Sequence, residues 1–211
     1  MTIWSKVFSL FPALHIGIIL YSIYLSISSP SALSFSFIFL SIYIFPLLAF
    51  RILNFFAPIK EGVSDILNDR FSPWWAGHQI QMLFISIPSL EAILRIIPGL
   101  FSLWLRCWGS KVGKRVYWTP GSVHYDRNLL RIGNGVIFGE RSTTVCHVIT
   151  PKDGKGLLRI KFIEIEDYAF IGAGCVLSPG VIVESGVMIK AGTDVYPMRR
   201  VTKNGEVKID D

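Results

Sequence analysis

The chain has 211 residues, of which 51% are hydrophobic and only 17% are charged, and its formal net charge is +6. No stretch interleaves basic with aromatic residues as nucleic-acid-binding modules do, so we exclude nucleic acid as a partner. The three cysteines lie far apart and form no CxxC pair, which excludes a disulfide framework and fits a reducing compartment. A basic chain of this kind suits an anionic membrane surface or an anionic cofactor.

Residues 1–58 are predicted to form a transmembrane helical hairpin. No Asp, Glu, Lys or Arg occurs between residues 7 and 50. The apolar runs 7–28 and 32–56 are each long enough to span a bilayer, which takes roughly 20 residues. The alternative for the first run is a cleaved signal peptide, but a second span follows it at once.

The charges that flank the hairpin predict its orientation. Lys6 precedes it, Arg51 and Lys60 end or follow it, and the short connecting loop has no charge. The positive-inside rule therefore places both termini in the cytoplasm. His15 lies within the first span, either as a functional polar group or as a hydrogen-bonded link between helices.

The next segment, residues 59–110, is predicted to lie on the membrane surface. It holds four of the six tryptophans, a residue type that prefers the membrane–water boundary. Pro88 and Pro98 cut it into pieces, so we expect two interfacial helices at about 75–87 and 89–108. A third span near 93–107 is the alternative, and its two arginines argue against it.

An aliphatic residue recurs at every sixth position near the end of the chain. A period of six fits neither an amphipathic helix nor a plain strand. It predicts a coil that turns a corner every six residues, with one aliphatic side chain per face pointing inward. The alternative is a set of short sandwich strands joined by Gly/Pro turns. The residues in register are Ile165, Ile171, Leu177, Val183, Ile189, Val195 and Val201.

Two shorter registers precede this one and predict two insertions. Val112 and Trp118 begin the first, and Ile132, Phe138 and Thr144 form the second, two residues out of step. The first insertion is therefore expected near residues 124–128. The interval from Thr144 to Ile165 corresponds to three faces and three extra residues, which we place in the polar Gly/Pro loop at 150–162. Such a loop on a regular scaffold is a common place for function. The coil is predicted at 111–203, followed by a tail at 204–211.

Two stretches of the coil carry a family resemblance: TTVCHVIT, Thr143–Thr150, and EIEDYAFIGAGCVLSPGVIVESGVMIKAGTDV, Glu164–Val195. They resemble the hexapeptide-repeat acyltransferases with a left-handed β-helix, and within them the maltose and galactoside O-acetyltransferase branch. The resemblance implies a left-handed parallel β-helix and acetyl-CoA as co-substrate. It also implies a homotrimer with active sites between subunits. The predicted fold class is therefore mixed membrane α plus β: hairpin, interfacial helices, then β-helix. The soluble members of this branch have no membrane hairpin, and in this feature the chain resembles membrane-attached relatives. That resemblance implies the inner membrane of a bacterium, with a cytoplasmic catalytic domain.

The resemblance also implies two catalytic residues. His147 matches the family's catalytic histidine, and histidine titrates where a base for a hydroxyl proton is needed. A structural loop histidine is the alternative. Asp126 matches a family aspartate that lies near the acceptor. The match implies that it binds an acceptor hydroxyl or orients the imidazole. The alternative is an exposed turn carboxylate. His124 and Glu140 are weaker candidates for the same cleft.

The donor site is implied in the same way. Phe170 matches the family's tryptophan beside the pantetheine, and Ala173 and Ala191 match small residues whose backbone bonds its amides. Coenzyme A phosphates need cations, and Lys190 is near in sequence, as are Arg199 and Arg200. The family's TKD is replaced here by Tyr-Pro-Met at 196–198, so this basic end is alternatively a solvated or lipid-facing surface. We expect no metal site.

The function that these features predict is a membrane-attached O-acetyltransferase acting on a hydroxyl of a glycan or lipid-linked acceptor. The alternatives are a catalytically inactive trimeric membrane scaffold and a transferase with a longer acyl donor or an amine acceptor. A γ-type carbonic anhydrase shares the coil but needs three zinc-binding histidines, and the coil has only His124 and His147.

Overall fold

The computed structural model describes residues 2–68 and 70–209. The chain forms two compact units: Met1–Ile59 with Leu67–Ser86, and Lys60–Ile66 with Ile87–Asp211.

The first unit is helical. Two continuous helical stretches, Ile3–Ser28 and Ala32–Phe56, are 26 and 25 residues long and apolar enough to cross a membrane. Thr2 caps the first and Ser31 the second, each accepting a backbone N–H through its hydroxyl. The elements of this unit are α1 (Ile3–Ser9), α2 (Phe11–Ser28), α3 (Ala32–Phe39), a π-helical segment (Leu40–Ile44), α4 (Phe45–Phe56) and α5 (Pro73–Ser86).

Several polar side chains of the two long helical stretches are buried, and many of their large apolar side chains are exposed. His15 is buried, and its Nε2 donates to the Ser41 carbonyl at 2.9 Å. The hydroxyls of Ser22 and Ser41 are 3.1 Å apart, whereas Leu14 and Leu20 are exposed. Hydrogen bonds of buried polar side chains thus link the two helical stretches. His15 is thus a hydrogen-bonded link between helices, as one of the two readings predicted.

Helix α5, predicted as the first interfacial helix, packs on α1, α2 and α4 within the first unit. The second predicted helix, 89–108, is broken into α6 (Ser89–Leu94) and α7 (Leu100–Trp108), which belong to the second unit. Pro98 and Gly99, whose φ is +82°, cause the break, because neither residue continues a helix. A single membrane-spanning helix at 93–107 is therefore contradicted.

The second unit is a parallel β-helix of short strands in three sheets. Each strand pairs in parallel with the strand one full coil away, and inward residues align, as Ile165 does with Ile132 and Val183. The handedness of the coil stays a prediction. The coil strands are β2 (Lys111–Val112), β3 (Tyr117–Trp118), β4 (Val123–His124), β5 (Leu130–Ile132), β6 (Ile137–Phe138), β7 (Thr143–Thr144), β10 (Ile163–Ile165), β11 (Phe170–Ile171), β12 (Val176–Leu177), β13 (Ile182–Val183), β14 (Met188–Ile189), β15 (Asp194–Val195) and β16 (Arg199–Thr202). The first sheet orders them β16-β13-β10-β5-β2, the second β14-β11-β6-β3 and the third β15-β12-β7-β4.

The predicted register is confirmed by burial. All seven aliphatic residues from Ile165 to Val201 are at most 8% exposed and form the axis of the coil. Ala169, Cys175, Val181 and Val187 fill the corners beside them and are also buried. The six-residue period is thus one inward side chain per face, with neighbouring coils sharing one core.

The second insertion is larger than the register predicted. Ile165 lies 21 residues after Thr144 but occupies the next face of the coil, since β7 and β10 lie in neighbouring sheets. The insertion therefore adds fifteen residues to the six of one face. The prediction of three extra residues is wrong. The insertion forms an antiparallel hairpin, β8 (His147–Lys152) and β9 (Lys155–Ile160), with β1 (Gly62–Asp65) paired to β9.

The end of the coil also differs from the prediction. Residues 205–208, predicted in a tail, form β17 (Gly205–Lys208), which pairs antiparallel with β16. This hairpin pairs the edge strand of the first sheet, β16, which would otherwise expose unpaired backbone groups. Residues 210–211 of the predicted tail lie outside the described residues.

Close stacking of the corners makes Gly172 intolerant of a side chain. A Cβ there would lie 2.5 Å from the backbone nitrogen of Ala191 and 2.7 Å from the carbonyl oxygen of Ile189. We expect Gly172→Ala to destabilise the coil by about 1–3 kcal/mol, because rigid backbone must move. Gly174→Asn on the same corner is the matched control: its Cβ meets nothing within 4 Å, and asparagine tolerates the φ of +68°. Thermal unfolding followed by circular dichroism should separate the two variants by several degrees. Equal midpoints would contradict close coil stacking.

Candidate active site

Both insertions leave the coil at the same corner. The first follows β4 and carries Asp126 in a turn closed by a hydrogen bond from Leu129 N to Asp126 O at 3.0 Å. The second follows β7, one coil later, and begins at His147. Because β4 and β7 are neighbours in one sheet, the two departures lie one above the other. This stacking brings together two residues that are distant in sequence.

His147 and Asp126 form a hydrogen-bonded pair. Nδ1 of His147 lies 2.8 Å from Oδ2 of Asp126, and the backbone N–H of Cys146 donates to the same oxygen at 2.8 Å. The Asp126 side chain is 3% exposed and that of His147 is 17% exposed. An ionised carboxylate only accepts, so Nδ1 carries the shared proton and the lone pair of the ring is on Nε2. A neutral imidazole oriented in this way can act as a general base.

A buried ion pair anchors the turn that carries Asp126. Arg127 donates from Nε and Nη2 to the two carboxylate oxygens of Glu91, at 2.6 and 2.8 Å. Trp104 Nε1 donates to the same carboxylate at 2.8 Å, and Ser110 Oγ donates to the Arg127 carbonyl at 2.8 Å. Helices α6 and α7 therefore hold the base of the turn in place.

The sequence alone did not reveal this anchor. In the sequence, Glu91 is a rare charge in an apolar segment, and Arg127 follows Asp126. The pair could have been predicted from one signal: an isolated acidic residue in an apolar segment and an arginine at the first break in the register.

Within one chain, neither His124 nor Glu140 lies at the corner of His147. His124 continues the inward register of β4, and its ring lies among Phe101, Trp118 and Phe138. Burial, with a further contribution from nearby arginines, lowers its pKa well below the usual value, so it is neutral. Glu140 accepts the Gly121 N–H at 3.4 Å at another corner. The weaker prediction for His124 is wrong, because its ring fills the core. Glu140 lies on the corner of Ala173, where Gly174 N donates to its carbonyl at 2.8 Å, and its part in a cleft stays a prediction.

Cys146, next to His147, is not suited to act as a nucleophile. It is fully buried, and its Sγ donates to the Leu129 carbonyl at 3.4 Å. Burial raises the pKa of this thiol, and the Asp126 carboxylate raises it further. Because thiolates are the reactive form, this buried thiol is a poor nucleophile.

The residues predicted to hold the donor fall into two groups. Phe170 begins β11, and Ala173 and Ala191 follow on exposed, stacked corners, where Gly192 N donates to the Ala173 carbonyl at 2.8 Å. Exposed Lys190 lies beside Ala191 on the same corner. The two arginines lie elsewhere, on β16 in another sheet: Arg199, and Arg200, which contacts Glu184 at 3.5 Å.

The donor corner and the His147 corner are different corners of the triangular coil. Ala173 and Ala191 lie between the second and third sheets, and His147 lies between the third and the first. A single chain therefore does not bring the two groups together. Among residues 2–68 and 70–209, no cluster of three His, Cys, Asp or Glu side chains is placed to hold a metal ion.

No protein-family model matches the chain, and no curated protein matches it. Solved structures do resemble it. A maltose O-acetyltransferase from Clostridium difficile 630 is 16% identical, with 61% of this chain and 89% of that one covered and a TM-score of 0.42. A hexapeptide-repeat acetyltransferase from Vibrio cholerae O1 biovar eltor, complexed with acetyl coenzyme A, is 16% identical over 68% and 94%, with a TM-score of 0.40. A galactoside acetyltransferase in complex with coenzyme A is 16% identical over 61% and 82%, with a TM-score of 0.36. All three of these structures are acetyltransferases.

Proposed function

We propose that the protein is a membrane-attached O-acetyltransferase that moves an acetyl group from acetyl-CoA to a hydroxyl of a glycan or lipid-linked acceptor. The observation that carries the proposal is the His147–Asp126 pair, with 2.8 Å between Nδ1 and Oδ2, at the corner where the hairpin insertion leaves the coil. The pair lies in the motif TTVCHVIT, which resembles the catalytic segment of the acetyltransferases.

In the proposed reaction His147 is the general base. Its Nε2 takes the proton of the acceptor hydroxyl while the oxygen attacks the thioester carbonyl carbon of acetyl-CoA. The tetrahedral intermediate collapses, the carbon–sulfur bond breaks, and the imidazolium returns the proton to the leaving sulfur. Asp126 keeps the proton on Nδ1 and stabilises the imidazolium that forms between these steps.

We assign the donor site to Phe170, Ala173, Ala191 and Lys190, with Arg199 and Arg200 as candidates for the phosphates. The separation between the Ala173 corner and the His147 corner within one chain supports a homotrimer, in which the donor corner of one subunit faces His147 of the next. The exposed corners of Ala173 and Ala191 leave room for the close approach of a pantetheine chain.

The proposed membrane attachment uses the helical unit as a hairpin, with both termini and the β-helix in the cytoplasm. Its support is the length of the two apolar stretches and the burial of serine and histidine between them. Attachment places enzyme and lipid-linked acceptor on one surface, which lowers the entropy lost in bringing them together.

Coenzyme A release by the full chain in a neutral detergent tests the proposal. The protein is offered acetyl-, butyryl- and palmitoyl-CoA with a bacterial membrane lipid extract, and free coenzyme A is measured by chromatography. We expect release with acetyl-CoA that depends on the extract. Faster release with a longer donor would move the donor assignment to that acyl-CoA. No release with any donor, together with no coenzyme A binding by calorimetry, would contradict the enzyme and favour the inactive scaffold.

A further inference from the structure

A cationic pocket lies away from the His147 corner, between helices α6 and α7 and the first coil. Its volume is about 320 Å³, and it opens at the corner between β2 and β3. Four of its lining residues are cations, Arg95, Arg106, Lys114 and Arg115, and none of its lining residues within 2–68 and 70–209 is acidic. A concave site with one sign of charge attracts a ligand of the opposite sign.

Arg95 brings a poorly satisfied charge to this pocket. Its Nη1 donates to the Pro120 carbonyl at 2.7 Å, and its guanidinium lies 4.0 Å above the Phe101 ring. Its Nε and Nη2 are buried without a hydrogen-bond partner among the described residues. The nearby Glu91 is engaged by Arg127 through both oxygens. Burial lowers the pKa of Arg95 to about 10, which leaves it charged at neutral pH.

The N-terminus of helix α7 faces the same pocket. Gly99 precedes the helix with no side-chain cap, and the first turn has no acidic residue. Gly99, Phe101 and Ser102 all line the pocket. The unsatisfied N–H groups and the partial positive charge of a helix N-terminus add to the four cations in favouring an anion. Helix and side chains thus point to one ligand chemistry.

Exposed apolar residues lie on α6, on α7 and on the turn between them. Ile96 is 77% exposed, Ile97 is 59%, Ile93 is 56% and Leu103 is 51%. Ile97 also lines the pocket, together with Pro98, Val116 and the ring of Trp118. A phosphate held beside such an apolar surface is the chemistry of a lipid headgroup at the membrane boundary, where basic side chains attract anionic lipid.

We propose that this pocket binds the phosphate of an anionic phospholipid, with the exposed residues of α6 and α7 facing its acyl chains. Binding there would fix the β-helix on the membrane through a contact separate from the catalytic pair. The proposal does not depend on acyl transfer. Free phosphate and the phosphates of coenzyme A share the ligand chemistry, and the experiment distinguishes them from the lipid.

Arg115 and Arg141 provide a matched pair of variants. Both are exposed, and both adopt a φ of +56° at corners of the coil, but only Arg115 lines the pocket. Asparagine tolerates this conformation, so Arg115→Asn and Arg141→Asn each remove one charge without new backbone strain. Neither residue contributes to the core, so both variants should fold.

The test is calorimetry on the full chain in a neutral detergent, with dihexanoyl phosphatidylglycerol as ligand. We expect the wild-type chain to bind dihexanoyl phosphatidylglycerol more tightly than dihexanoyl phosphatidylcholine. Arg115→Asn should bind the phosphatidylglycerol about tenfold more weakly than the wild-type chain, and Arg141→Asn should bind it equally well. Equal binding of both lipids, or equal binding to both variants, would overturn the proposal. Inorganic phosphate or coenzyme A is then added at concentrations similar to that of the lipid. If either displaces the lipid from the wild-type chain and does not bind Arg115→Asn, the lipid assignment is overturned.

Discussion

Replacing His147 by alanine should lower the rate of acetyl transfer by about 10²–10⁴-fold, the usual contribution of a positioned general base. The His147 side chain is 17% exposed, lies at the start of β8 and does not belong to the core of the coil. The variant should therefore keep its fold. Initial rates of coenzyme A release measure the effect, and calorimetry with coenzyme A shows whether donor binding is retained.

Asp126→Asn separates orientation of the imidazole from the presence of the base. Its amide oxygen can still accept the Cys146 N–H, but it neither fixes the proton on Nδ1 nor stabilises an imidazolium. We expect the rate constant to fall by about 10²-fold or more, since a comparable aspartate substitution in the serine protease triad costs about 10⁴. Full activity in either variant would contradict the proposed mechanism.

Glu91→Gln should be the most destabilising conservative change in the second unit. It leaves the Arg127 guanidinium buried without its counter-charge, and breaking a buried pair from one side typically costs about 3–5 kcal/mol. The side chains of Arg127 and Glu91 are only 1% and 4% exposed. The midpoint of thermal unfolding should therefore fall by at least 6 °C, on the scale of about 2–4 °C per kcal/mol for a chain of this size.

A surface pair of the same composition provides the control. Arg131 and Glu164 are also 2.6 Å apart, but their side chains are 41% and 39% exposed. Glu164→Gln should cost less than about 1 kcal/mol, because water screens and solvates both partners. Equal shifts for Glu91→Gln and Glu164→Gln would show that the buried pair does not anchor the turn. In the double variant with Arg127→Met, part of the Glu91→Gln loss should return.

The coil could be predicted from the sequence because its physics is local. One inward side chain per six-residue face leaves a period that no helix or flat strand produces, and all seven predicted core positions are buried. The first insertion, expected near 124–128, was also confirmed. A shift of two residues in the register is too short for another face of the coil, so it indicates an enlarged turn.

The second insertion was misjudged for a physical reason. A register measures length only modulo its period, so Thr144 to Ile165 fits either three faces with three extra residues or one face with fifteen. The hairpin resolves the choice through pairing of β9 with β1, a contact to residues 62–65 that no local pattern reveals. The break at Gly99 has a local cause, since neither Pro98 nor Gly99 continues a helix, and the predicted helix at 89–108 overlooked it. The strand at 205–208 was missed because it depends on pairing with β16.

The candidate site was predictable only in part. Resemblance identified His147 and Asp126, and the register placed Asp126 one coil before the His147 region. The Glu91–Arg127 pair joins residues on a helix and on a turn, so it became visible only when the two were packed together. His124, a weaker candidate for the cleft, was misassigned, because its ring completes an aromatic core.

The most direct test of the account is transfer of a carbon-13-labelled acetyl group from acetyl-CoA to a membrane lipid extract, with the full chain and with His147→Ala. Mass spectrometry of the extract detects the labelled ester. We predict that the label appears on a hydroxyl-bearing glycan or lipid with the wild-type chain and is lost with His147→Ala. Equal labelling by both proteins would contradict His147 as the base, and no labelling by the wild-type chain would contradict acetyl transfer to a membrane acceptor.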